Sequence, residues 1–245
     1  AESRSDAVGV SGSPGGRTPW ARGVVSVTEK IRRQLKSILN KLTRDNYWSL
    51  HTQLLEVCFK ARGDEGLVEV LVCELFAKAT TEHEFVEMYA DLCAVLHGEL
   101  QDIGVKCSLN QALLRMCEQT FNRYLEAFAI DDALTEDDQY VEHVKHKTKM
   151  LGNVKFMSQL LRRGMAPQKM LLLCAERLLS VNSADALETL SVLLTCAAVD
   201  APQCVEQQHM QQVFRRVSAL AVDQQQPQRV RCLLQDLLDK WKGPV

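Results

Sequence analysis

The chain lacks a Cys-x-x-Cys pair, any apolar run near the roughly 18 residues that a membrane helix needs, and any sustained alternation of apolar and polar residues. The first absence removes the usual zinc-ribbon and thiol-redox signatures, the second a spanning helix, and the third a sheet with one face in water. The formal net charge is only -2, so no global field favours nucleic acid or an anionic membrane, and any RNA contact is expected to be patchy and weak. No apolar signal-peptide core stands at the start, which leads us to expect a soluble, cytoplasmic protein. Beyond Val24 only one proline and a few glycines interrupt the apolar-periodic stretches.

What is present is a chain of 245 residues, 46% of them apolar, long enough to bury about 70 to 75% of its unfolded surface in an independent core. Its nine cysteines, at 58, 73, 93, 107, 117, 174, 196, 204 and 232, are scattered through apolar segments. They read as reduced, small core residues of an intracellular protein.

Residues 1–23 (AESRSDAVGVSGSPGGRTPWARG) are Gly-, Ser- and Pro-rich, a composition expected to stay flexible because little apolar surface offsets ordering. Trp20 is the exception: a large aromatic in a polar tail has no core of its own and is expected to dock onto something.

From there the pattern is helical throughout. Thr81 with Glu84 and Ser108 with Gln111 have capping-box spacing, Thr135 and Asn182 precede acidic first turns, and Pro167 and Pro202 suit a first helical position. These signals divide the chain into ten helices, at 27–41, 44–61, 64–80, 82–97, 109–130, 136–163, 167–180, 183–199, 202–222 and 226–242. Consecutive helices form five antiparallel pairs, each about 40 residues long, the dimension of HEAT units in an all-α solenoid.

Stripes such as Phe85, Met88, Tyr89, Leu92, Cys93 and Leu96, or Val230, Leu233, Leu234, Leu237, Leu238 and Trp241, need a neighbouring pair to cover them. The third helix (LVEVLVCELFAKA) is apolar on almost every side, which suits a central position. No strict repeat is visible, so a globular helical bundle stays open as an alternative.

Chemistry is hard to find. Gly16-Arg17-Thr18 has an arginine where a phosphate loop needs lysine, and no strand precedes it. His143 and His146, with Asp138 and Glu142 nearby, make a metal conceivable, but a solvated histidine pair among Lys145, Lys147 and Lys149 is the simpler reading. His51, His83, His97 and His209 show no spacing that helical geometry alone would assemble into a catalytic group, and Asp131, Asp132, Asp137 and Asp138 suit a connection and a helix N-terminus. No catalytic residue, metal or cofactor is therefore assigned. A metal- or cysteine-based enzyme is the alternative from another class. Basic residues gather at Arg32, Arg33, Lys36, Lys41 and Arg44, a candidate RNA-binding group, and at Lys155, Arg162, Arg163 and Lys169, in neither case with exposed aromatics interleaved.

ILNKLTRDNY at 38–47 resembles the ILNKLT-x-x-x-Phe signature of the middle domain of translation initiation factor 4G. VCELFAKATTEHEFVEMYADLCAVL is similar to the family's FxKA and YAxxC helix pair, MLGNVKFMSQLL to its LGNIKFIGEL, ETLSVLLT to its ECLCRLLT, and RVRCLLQDLLD to its RIRFMLQDVLD. These ordered landmarks run from about residue 31 to 239, so residues 24–245 are identified as a divergent member of that middle-domain family.

The resemblance implies a non-catalytic scaffold of the cap-binding complex, five HEAT-like pairs that hold the two lobes of the DEAD-box RNA helicase 4A. Carried over, Leu39, Leu42 and Tyr47 match the signature's leucines and aromatic, while Arg229, Arg231, Asp236 and Asp239 match the terminal segment. Trp20 resembles in placement a tryptophan that docks into the helicase. Arg44 stands for the usual proline, Tyr47 for phenylalanine, and the charged insertion between the fifth and sixth helices is short. No Tyr-x-x-x-x-Leu motif occurs, so contacts with cap-binding protein 4E are expected outside this chain. Related middle domains in nuclear cap-binding, splicing-linked and nonsense-decay adaptors are the alternative setting.

Overall fold

The structure is a computed structural model and describes residues 27–126, 135–197 and 207–241. Among the described residues ten α-helices follow one another: α1 Val27–Leu39, α2 Tyr47–Lys60, α3 Leu67–Thr81, α4 Val86–Asp102, α5 Leu109–Leu125, α6 Glu136–Arg162, α7 Gln168–Val181, α8 Ala184–Ala197, α9 Gln207–Val222 and α10 Gln228–Lys240. A single 3-10 turn, His83–Phe85, leads into α4, and no strand occurs among the described residues. Each helix falls within its expected segment or close to it. The flexible segment expected at 1–23, with Trp20, lies outside the described residues, as do Pro202 and Cys204.

Helices pair in sequence and the pairs stack in order, which makes two layers. The even helices form one unbroken ladder, α2 on α4, α4 on α6, α6 on α8 and α8 on α10, and the odd layer holds α1 on α3, α3 on α5 and α7 on α9. This is the pair-stacked, all-helical arrangement expected from the segment lengths, rather than a closed bundle.

Stacking follows from where the apolar residues sit. Eight of the 15 residues of α3 are buried, because α3 is covered by α1, α4, α5 and α6 at once. The α4 stripe is fully enclosed from Met88 to Leu96. At the far end Trp241 stacks on Phe214 of α9, with ring centroids 3.9 Å apart and planes 16° from parallel, closing the last pair over an aromatic contact.

Two buried side-chain polar groups tie neighbouring helices together. Asn153 Nδ2 donates to the Cys117 carbonyl at 3.0 Å, linking α6 to α5; Ser191 Oγ donates to the Leu233 carbonyl at 3.2 Å, linking α8 to α10.

The helix ends correct several sequence expectations. Thr135 caps α6, its hydroxyl accepting from the Asp138 amide at 3.2 Å, and Ser108 accepts from Gln111. Thr81 does not open a helix: its hydroxyl donates back to the Ala77 carbonyl at 2.7 Å, so it ends α3. Asn182 likewise ends α7, in left-handed conformation at φ 52°, and Ser183 takes over the cap of α8 by accepting from the Ala186 amide at 3.2 Å. Pro167 sits one residue before α7 rather than at its first position. The fourth helix runs on to Asp102, five residues past the expected end, since Gly98 is tolerated at the surface and the real stop is Gly104 at φ 83°.

Glu82 joins this junction to α4. Its carboxylate accepts from the Tyr89 hydroxyl at 2.7 Å and pairs with Lys78 at 2.6 Å. Partial burial alone would raise its pKa, but the hydrogen bonds from Lys78 and Tyr89 and the lysine charge outweigh it and hold the carboxyl below its ordinary value. Stability from this group is therefore present above the unfolded carboxylate pKa and is lost as pH falls through the lowered folded value. Tyr89→Phe is expected to cost about 1 to 2 kcal/mol at neutral pH. In urea unfolding at stepped pH the deficit should shrink once Glu82 is protonated; a deficit that does not change with pH would place the cost in packing.

Candidate partner-binding surface

The turn after α1 is set by Asn46, whose side chain accepts from the Thr43 amide at 2.7 Å and donates to the Lys41 carbonyl at 2.7 Å. This local loop leaves Leu39 and Leu42 pointing inward, 1% and 6% exposed. Both leucines are core residues, so their part in any interface is to hold the α1–α2 corner and not to touch a partner.

Tyr47 and Trp48 begin α2 at that corner. The Tyr47 ring stands edge-on to Trp48 at 5.1 Å and parallel to His51 at 6.2 Å, and His51 is held by a 2.7 Å contact from its Nε2 to Glu99 of α4. The Tyr47 hydroxyl is enclosed without a hydrogen-bond partner among the described residues. Burial, with Asp91, Cys93 and Glu99 nearby, pushes the phenol up to about 12 against the opposing Arg163.

Trp48 is the opposite case, 69% exposed. Together with Arg44, Glu87, Met88, Asp91 and Val95 the two aromatics line an open groove of about 560 Å³ between α2 and α4. Trp48 was not singled out from sequence, although Leu50, Leu54 and Cys58 define a buried stripe that excludes it.

At the other end of the even ladder, Arg229 of α10 reaches Glu188 of α8 at 3.0 Å. Lys147 of α6 meets the same carboxylate at 2.6 Å and Asp185 at 2.9 Å. Burial would lower Lys147, yet its bonds to Glu188 and Asp185 keep its pKa above the ordinary value. Arg231 donates to Gln224 at 2.8 Å. Asp236 and Asp239 lie on the open face of α10, Asp239 accepting from Gln235 at 3.0 Å. Of the four matched residues, then, the two arginines serve the domain's own contacts and the two aspartates are free to meet a partner.

The basic group on the first helix is divided in the same way. Arg32 faces Glu29 and Glu74 at 3.8 and 3.7 Å, and Arg33 meets Glu29 at 3.1 Å. Lys36, Lys41 and Arg44 are exposed and have no ion-pair partner among the described residues. In the second group, Arg163 is structural: it binds Asp91 at 2.7 Å and the Glu87 carbonyl at 3.1 Å, tying α6 to α4.

His143 and His146 line one open pocket with Tyr124 and Asp185, but no group of three or more His, Cys, Asp or Glu side chains that could hold a metal ion occurs among the described residues. His143 contacts Asp185 at 3.1 Å, while His146 packs edge-on against Tyr124 at 4.3 Å. Burial, with the charges of His143 and Lys149, holds His146 below its ordinary pKa despite Asp185.

The cysteines need correcting in part, because Cys73, Cys107 and Cys232 are exposed. Burial pushes Cys58, Cys93 and Cys174 up to about 12, and Cys117 higher still. Among the described thiols, native labelling with a disulfide reagent is expected to reach Cys73, Cys107 and Cys232 readily and the four buried ones only after unfolding. Fast labelling of Cys58, Cys93, Cys117 or Cys174 in the native state would contradict this.

With this geometry in place, comparison with known proteins is decisive on family. The model of the MIF4G domain matches residues 32–240. The chain belongs to the MIF4G domain family. Eukaryotic translation initiation factor 4G of Triticum aestivum is 31% identical over 241 residues, covering 90% of this chain and 16% of that protein. Its Arabidopsis thaliana counterpart is 29% identical over 239 residues, again 90% of this chain but 14% of that protein, and factor 4 gamma 1 of Mus musculus is 26% identical over 233 residues. This MIF4G domain thus spans only a small part of the length of those relatives. The crystal structure of the MIF4G domain of Trypanosoma cruzi translation initiation factor EIF4G5 superposes with a TM-score of 0.56 at 19% identity, covering 86% of this chain and 94% of that one. The fold is shared, and the chain is a divergent middle domain of the initiation factor 4G type.

Proposed function

We propose that this chain is a non-catalytic scaffold of translation initiation that binds a DEAD-box helicase of the initiation factor 4A type and holds its two lobes in a productive orientation. The reading rests on one observation: the family match runs the whole length of an unbroken helical ladder whose two ends each offer an open surface. One end is the Tyr47–Trp48 groove and the other the Asp236 and Asp239 face of α10.

A rigid ladder that touches each lobe at one end restricts their relative motion, and by mass action it raises the population of whatever lobe arrangement it fits. The same binding then speeds ATP turnover if that arrangement is the catalytic one. Lys36, Lys41 and Arg44 provide a modest basic edge for RNA, too small for tight binding on its own. Contacts with cap-binding protein 4E fall to regions outside this chain.

Titration calorimetry of the chain against recombinant helicase 4A from the same source, followed by the helicase's ATPase rate, tests the reading. Saturable binding with a raised rate is expected. No heat and no stimulation would overturn it and point to the partner of another middle-domain adaptor.

A further inference from the structure

The odd layer has a break. α1, α3 and α5 stack, and α7 and α9 stack, but α5 and α7 stand apart while α6 and α8 pack closely beneath them. Between α5 and α7 lies an open groove of about 620 Å³. It runs from Gln111 to Asn122 on one wall and from Pro167 to Arg177 on the other, about 15 Å at the helical rise, the length of three turns of a helix.

Its floor and walls are apolar: Phe121 is buried at the base, Leu114 and Met170 are half-buried, and Leu173 is 50% exposed. A leucine left in water on a helix whose other leucines at 171, 172, 178 and 179 are buried is the sign of an uncovered surface. The rim is cationic. Arg115, Lys169 and Arg177 line the groove against one carboxylate, Glu118. Arg177 is turned along the wall by a hydrogen bond to Asn122 of α5, while Arg115 and Lys169 have no ion-pair partner among the described residues.

We propose that this groove docks an amphipathic acidic helix of a partner protein, separately from the helicase surfaces, which lie on the even ladder. The apolar slot takes a stripe at i, i+3, i+4 and i+7, and the three cations take carboxylates flanking it. A nucleic acid would leave Leu173, Leu114 and Met170 uncovered, and a basic helix would face three like charges.

The proposal is tested by fluorescence anisotropy with a small set of labelled helical peptides of about 15 residues, each carrying a Leu or Phe stripe flanked by glutamates. Charge-inverted peptides keep the stripe and replace glutamate by lysine. The acidic peptides are expected to bind, the lysine peptides at least about tenfold more weakly, and added salt should weaken the acidic set.

Leu173→Glu, at an exposed position that leaves the melting temperature unchanged, should reduce acidic-peptide binding by at least about tenfold. The double variant Arg115→Glu with Lys169→Glu should abolish the charge preference while leaving the apolar floor intact. Equal binding of both peptide sets, binding indifferent to Leu173→Glu, or no binding by any acidic peptide would overturn the proposal. So would self-association in sedimentation that Leu173→Glu abolishes, since the occupant would then be a second copy of the chain.

Discussion

Replacing Gly152 by alanine is expected to destabilise the fold by about 3 kcal/mol, although alanine is the better helix former by about 1 kcal/mol. Gly152 lies in the middle of α6, where that helix crosses the end of α3. A Cβ there would stand 2.0 Å from the Thr80 carbonyl oxygen, 2.8 Å from its carbon and 2.9 Å from His83 Cε1. Two of the three obstacles are backbone, so no side-chain rotation relieves the clash; α3 and α6 must separate, and both are central to the stack.

Gly98 provides the control. It too is inside a helix, but a Cβ there meets nothing within 4 Å, so Gly98→Ala should be neutral or stabilising by up to about 1 kcal/mol. Urea unfolding of both variants decides the matter. A Gly152→Ala protein as stable as the parent would mean that α6 and α3 do not approach as described.

Trp20→Ala is expected to weaken helicase binding by roughly 2 to 4 kcal/mol, or about 30- to 1000-fold, with little change in melting temperature. The expectation rests on composition and on the proposed function: a tryptophan in a Gly-, Ser- and Pro-rich stretch is expected to have no core of its own to join, so truncating it should remove partner contact without removing packing. Calorimetry against helicase 4A, paired with thermal unfolding of the variant alone, separates the two roles. A matching loss of melting temperature would show that Trp20 packs on its own domain instead.

The helices were legible because their apolar stripes repeat at 3.6 residues over three turns or more, as in the stripes of α4 and α10, where every expected residue except Leu233 is in the core or packs against it. Ends were less legible because Ser, Thr and Asn bond either forwards or backwards along the chain. Thr81 turns back to Ala77, whereas Ser108 and Thr135 turn forward, and nothing in the local spelling distinguishes them. The cysteines at 73, 107 and 232 were misjudged because residence in an apolar segment does not say which side of the helix a residue occupies.

For the candidate site, the sequence located the α1–α2 corner through the resemblance and named Tyr47, but it could not separate the buried leucines from a contact surface. Trp48 could have been found by projecting α2 onto its helical wheel. The groove between α5 and α7 could not, because it depends on the distance between helices that are not neighbours in the chain.

The break in the odd layer also has a mechanical meaning. A beam of two bonded layers resists bending through the separation of its faces, and where one face is cut the resistance falls to that of the remaining face. Here α1 to α5 and α7 to α10 are each braced on both sides, while across the gap the packing of α6 on α8 carries most of the load, with the Arg177–Asn122 hydrogen bond beside it. Flexure should therefore concentrate at that seam, and a guest wedged between α5 and α7 would stiffen the protein just where its two halves turn against each other.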